Sequence, residues 1–263
     1  DVKIILPTDK DLYFYSDFGQ TTFTFSTFDA ANDSFIKQDQ LNCYKKFRFE
    51  NIKFVNSHSH AINIESALEV EIVNCDLSNN GWNKDYGDKL AFIKHYTHTQ
   101  SNLQAFYSSS EVGTGGAIII KNTPVVSISQ GNINYNKESI ILENCGIGGK
   151  VFISRNQVIN NLHGVKVINC ENVTGYNMAY AGNASNGLEV TGGINNRFAL
   201  SVFQDNWGSD VVTDSVANTK FRDNDLTNSN KSAYNVDGTV SNDSAFLIKG
   251  MIARPERKFL LEI

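Results

Sequence analysis

Short apolar runs alternate with polar turn residues along the chain, and the alternation repeats. Val70, Ile72, Asn74, Leu77 and Asn80 place two apolar residues two apart, then a polar residue, another apolar one and another polar one. The same offsets recur at Phe47, Phe49, Asn51, Phe54 and Ser57, at Val126, Ile128, Gln130, Ile133 and Asn136, and at Leu200, Val202, Gln204, Trp207 and Asp210. Looser copies begin at Phe23, Val151, Val173 and Thr219, so the period is roughly two dozen residues. A second column runs through Ile62/Ile64, Ile118/Ile120, Ile140/Leu142, Val165/Val167, Leu188/Val190 and Val211/Thr213. It leads the first by eight residues at 62 to 70, 118 to 126 and 165 to 173. Alternation with period two turns one side chain inward and the next outward, so each repeat holds three short strands.

Two architectures take short strands at such a period, a propeller and a stacked solenoid. A propeller blade needs four antiparallel strands and roughly 40 residues, so the shorter repeat predicts strands paired in parallel one turn apart. The segments "AINIESALEVEIVNCDLSNN", "SIILENCGIGGKVFISRNQVINN" and "HGVKVINCENVTGYN" resemble the right-handed parallel β-helix proteins of the pectin-lyase-like group. The expected fold is all-β, a right-handed parallel β-helix of about 8–9 coils with three strands each. Its boundaries are an N-terminal lead-in or cap at 1–20, the β-helix over 21–232 and a C-terminal coil and tail at 233–263.

Composition adds the turn chemistry. Asn supplies 32 of 263 residues and is the residue that best tolerates a left-handed backbone after glycine. The 41% apolar content excludes a disordered chain, and no run reaches the roughly 18 apolar residues of a membrane span. A net charge of −5 repels nucleic acid and anionic membranes, so a polyanionic partner would need a local basic patch. The chain opens at Asp1 without Met, which points to a processed product or an excerpt. Cys43, Cys75, Cys145 and Cys170 each follow an Asn and form no metal-binding spacing. Cys145 and Cys170 lie five residues after Ile140 and Val165, which predicts buried free thiols in adjacent coils, beside stacked Asn144 and Asn169.

One stretch breaks the period. The 56 residues from Ile62 to Ile118 hold either an extra coil, with Leu90 and Phe92 in the inward column, or a long excursion at 81–115. Trp82, Asp85, Tyr86, Asp88, Lys89, His95, Tyr96 and His98 fall there, and aromatic faces beside hydrogen-bonding groups suit sugar rings. In the enzymes the chain resembles, such loops wall a substrate groove. No family catalytic motif is complete: Asn235-Val236-Asp237-Gly238 lacks the partners of a polygalacturonase, and Arg254-Pro255-Glu256-Arg257 lies outside the repeats. Scattered acid, base and cation candidates are Glu143, Arg155, His163, Lys166, Glu189 and Asp214, although Lys166 and Glu189 also read as a vertical ion pair.

The resemblance therefore implies an extracellular or virion-associated protein that binds a poly- or oligosaccharide, as bacteriophage tailspike β-helices do, with or without cleaving it as a lyase or glycoside hydrolase. The other expectations are a secreted polysaccharide lyase, hydrolase or epimerase, and a passive structural or adhesive β-helix. No nucleic acid, membrane insertion, metal or cofactor is implied, with a bound Ca2+ left open. Outward Ile119, Ile141 and Phe152 would form an apolar stripe for a homotrimer.

Overall fold

A computed structural model describes residues 12–14, 21–24, 36–38, 46–55, 57, 59–81, 115–204, 206, 208–227 and 234–240. The strands wind into a parallel solenoid with three strands per turn, and no helix occurs among the described residues. Face I contains Ile62–Glu65, Gly116–Lys121, Glu138–Glu143, His163–Ile168 and Leu188–Thr191. Face II contains Lys46–Glu50, Glu69–Val73, Val125–Ser129, Lys150–Ser154, Val173–Tyr176 and Arg197–Ala199. Face III contains Ile52–Val55, Asp76–Ser78, Asn132–Asn134, Gln157–Ile159, Ala179–Ala181, Val202–Gln204 and Asp225–Thr227. The long strand Val211–Arg222 runs from face I into face II and joins their hydrogen-bonding into one sheet.

The inward column of face I is the expected one. Ile62, Ile118, Ile140, Val165, Leu188 and Val211 stand in one register, and each is fully buried. Each such side chain contributes roughly 1.5–3 kcal/mol by leaving water, and its neighbours above and below fix its shape. Toward the C-terminal end the interior turns aromatic. Tyr180 stacks on Phe203 at 4.5 Å and Phe198 on Phe221 at 5.5 Å. Gly175 makes room for this, because a Cβ there would stand 2.6 Å from the Phe198 ring.

The corners explain the asparagine content. Of the 18 non-glycine residues with positive φ among the described residues, 11 are Asn. After the left-handed residue the chain turns its next side chain inward, and at most corners that side chain is small or a self-satisfied Asn. Asn80, Asn136, Asn161, Asn183 and Asn206 fill that place between faces III and I. Each of the first four donates from its Nδ2 to the Oδ1 of the next, and the Asn161 Nδ2 also donates to the Ile133 carbonyl at 2.8 Å. Cys145 and Cys170 fill the equivalent place between faces I and II as buried free thiols, with the Cys145 N–H donating to the Cys170 sulfur at 3.3 Å. Cys75 is also buried and free but stands at the corner between faces II and III, where burial pushes its thiol up to about 11. Cys43 and any Asn144–Asn169 ladder are different matters: Cys43 lies outside the described residues, and the Asn144 Nδ2 donates instead to the Asn122 Oδ1 at 3.1 Å.

Three expectations change. About six turns are described, rather than eight to nine, because the strands before and after the 56-residue interval pair directly with each other. Phe23 pairs with Phe54 and so belongs to face III, not to the Val70 column. Leu200 is not the equivalent of Val173 either: Arg197 is the partner of Thr174, which sets Asn196 opposite Val173. Asn196 keeps that inward place by accepting from the Val173 N–H at 3.0 Å and donating to the Cys170 carbonyl at 3.2 Å.

Candidate functional site

The 56-residue interval holds no extra turn. Ile62 pairs directly with Ile118, Val70 with Val126 and Leu77 with Ile133, so the turn before the interval lies against the turn after it. Gly81 and Gly115 form the neck: the Gly81 N–H donates to the Ser57 carbonyl at 2.7 Å, and a Cβ on Gly81 would stand 2.2 Å from the Gly115 carbonyl oxygen. Gly81 and Gly115, the described residues on either side of 82–114, thus lie against each other on the corner between faces III and I. Trp82, Asp85, Tyr86, Asp88, Lys89, His95, Tyr96 and His98 lie outside the described residues.

Beside the neck the solenoid carries a polar cluster. Gly116, Glu138 and His163 occupy one register position on three consecutive rungs. The Glu138 carboxylate receives Lys166 Nζ at 2.9 Å and stands 3.7 Å from His163 Nε2. Lys166 lies beside Glu189 on the next rung, but the Glu189 carboxylate accepts from the Asn186 Nδ2 at 3.1 Å. Lys166 thus pairs not with Glu189 but with Glu138, one rung lower and three residues before its register partner Ile141.

Burial sets the protonation states. It raises the Glu138 carboxyl above the usual carboxylate range, with Lys166 pulling the other way. It holds His163 down at about 3, helped by the charges of Lys166 and Lys137, and His60 down at about 4, helped by Lys137 and Lys121. Lys137 is lowered as well. Two imidazoles neutral at pH 7, a carboxyl raised above its usual range by burial and two lysines therefore share one corner. Such a set can exchange a proton and hold hydroxyl or acidic groups of a bound molecule.

Of the six candidates, the fold brings together His163, Lys166 and Glu189 and leaves the others apart. Glu143 is engaged by Lys121 Nζ at 2.8 Å on the far side of face I. Asp214 is exposed three rungs beyond Glu143 and accepts from the Ser215 hydroxyl at 2.9 Å. Arg155 stands at the corner between faces II and III. His60, Lys137 and Glu138 were not singled out from the sequence. The 25-residue step from Glu138 to His163, identical to that from Ile140 to Val165, is the signal that pairs them.

The expected outward stripe divides too: Ile119 and Ile141 adjoin on face I, whereas Phe152 projects from face II. Among the described residues no group of three or more His, Cys, Asp or Glu could hold a metal ion, and no helix is long and apolar enough to cross a membrane. Comparison of the chain with models of known protein families, with curated proteins and with solved structures gives no match.

Proposed function

We propose that the protein binds a surface polysaccharide at the corner between faces III and I, as an extracellular or virion-associated β-helix similar in character to bacteriophage tailspikes. The observation that carries this reading is the neck at Gly81 and Gly115, next to the rungs that hold Glu138, His163 and Lys166, between which the sequence has 33 residues rich in aromatic and hydrogen-bonding side chains. A solenoid can change such an insertion without disturbing its stack, whereas every ladder position is constrained from above and below. Aromatic stacking with a few hydrogen bonds gives roughly micromolar to millimolar affinity at one site.

A second reading, cleavage of the bound glycan, is favoured by one feature. The Glu138 carboxyl, raised by burial, stands 3.7 Å from the His163 imidazole, so two groups able to exchange a proton lie within one cluster. A glycan array combined with a reducing-end assay tests both. Trp82→Ala with Tyr86→Ala is expected to weaken binding at least about tenfold with an unchanged melting temperature. Glu138→Gln is expected to abolish release of reducing ends while binding persists. Absence of binding to any glycan leaves a passive structural β-helix, and binding that survives the double substitution moves the site elsewhere. The homotrimer expected from the outward apolar residues belongs to the same proposal, and a monomer mass by light scattering at micromolar concentration removes it.

A further inference from the structure

Face II changes its charge along the axis of the solenoid. One outward row runs Arg48, Glu71, Ser127, Phe152, Thr174, Arg197 and Lys220, each in register with the next. At its N-terminal end the cations are neutralised: Arg48 holds both Glu50 and Glu71, and Lys46 holds Glu69 at 3.0 Å. At its C-terminal end Lys150, Arg155, Arg197 and Lys220 are all exposed, and none has an ion-pair partner among the described residues. Among the carboxylates of this end, Asp223 is engaged by Arg222 at 3.1 Å, and Glu171 stands at the opposite margin, in the turn between faces I and II. Between the cations lie two half-exposed rings, Phe152 and Tyr176, with centroids 5.1 Å apart.

The backbone adds an independent sign that these side chains serve something other than the fold. Arg155 has a φ of 54°, at a corner position that other turns fill with Asn51, Asn74 and Asn177. A long side chain there costs of the order of 1 kcal/mol relative to glycine and brings no packing, since Arg155 is exposed. Two turns on, exposed Leu200 occupies the same kind of position with a φ of 53°.

We propose that this half of face II is a binding surface for an acidic polysaccharide, carrying carboxylate or sulfate groups, laid along the solenoid axis. From Phe152 to Lys220 the row climbs three rungs, about 14 Å, a few sugar residues long. The cations meet the acid groups and the two rings meet the apolar C–H faces between them. In a chain of net charge −5 this is the local basic patch that a polyanion requires. The surface stands on its own residues and adds to the corner site without depending on it.

The test measures binding of a sulfated heparin-type octasaccharide, a galacturonate octamer, neutral dextran and a single-stranded oligothymidylate at two salt concentrations. At least one acidic octasaccharide is expected to bind, more weakly as salt rises, with dextran at least about tenfold weaker. Arg197→Glu with Lys220→Glu, both on exposed side chains, is expected to lower that affinity at least tenfold while the melting temperature and any corner-site glycan signal are kept. Phe152→Ala is expected to lower it severalfold without changing the salt dependence. Failure of both acidic octasaccharides to bind, dextran binding equally well, unaltered affinity in the double reversal, or oligothymidylate binding as tightly as the best saccharide would each overturn the proposal.

Discussion

Two columns of face I lie one residue apart on the same strands and obey different rules. The inward column reads Ile118, Ile140, Val165, Leu188 and Val211, while the outward one beside it reads Ile119, Ile141, Lys166, Glu189 and Val212. Inside, each side chain is packed by the equivalents above and below, so only size and apolarity vary. Outside, an isoleucine can follow or precede a lysine because water completes the contacts. The interior therefore specifies the fold, and the exterior is where turns differ enough to carry chemistry.

The largest effect comes from breaking the interior rule. Ile140→Asp places an unpaired charge among fully buried neighbours, and loss of the β-signal in circular dichroism is the expected outcome. The polar interior ladder comes next. Asn161 accepts from the Asn136 N–H and Nδ2 and donates to the Asn183 Oδ1 and the Ile133 carbonyl. Asn161→Ala strands several of these groups, at roughly 1–3 kcal/mol each, so a loss of about 3–5 kcal/mol is expected in denaturant unfolding.

A smaller effect follows from protonation. His60 and His163 titrate at about 4 and about 3 in the fold but near 6.5 when unfolded, so between these limits the unfolded chain binds more protons. Stability is expected to be flat above about pH 6.5 and to fall as the pH drops from there toward 4. The raised Glu138 works in the opposite sense, favouring the fold where its proton is retained. His60→Gln with His163→Gln should flatten the melting temperature measured between pH 7 and pH 4.5. The smallest effect is reserved for the exterior. Replacing residues 82–114 by a short Gly-Ser link between Gly81 and Gly115 removes no rung and should shift the melting temperature by only a few degrees. Arg48→Ala, which removes a half-exposed ion-pair network, should cost no more than about 1 kcal/mol.

The same division explains what the sequence discloses. The ladder from Ile62 to Val211 is legible because inward positions must be apolar on every turn, and the Asn residues are legible because left-handed corners recur with the period. Register becomes illegible where a polar side chain satisfies itself inside. Asn196 erases the apolar signal of its strand, and the apolar pair Leu200 and Val202 on the neighbouring corner imitates it. Cys75 follows an Asn as Cys145 does, yet it stands at another corner, because an inward small residue succeeds a left-handed one at each of them. Half of the candidate site was hidden for a related reason. His163 and Lys166 draw attention as side chains, but Glu138 acts through its register with His163 and its reach to Lys166, which no single residue reveals.

Parallel stacking of successive repeats, uninterrupted across the 56-residue interval, is the claim on which both proposed sites rest. Spin labels at Arg48 and Lys220, measured by pulsed electron paramagnetic resonance, test it most directly. Six steps of about 4.8 Å separate these outward positions, so a distance near 29 Å is predicted, and labels at Arg48 and Thr174 should lie near 19 Å. Both distances longer by one step would mean that the interval holds a further turn. Distances unrelated to the number of rungs would contradict the solenoid itself.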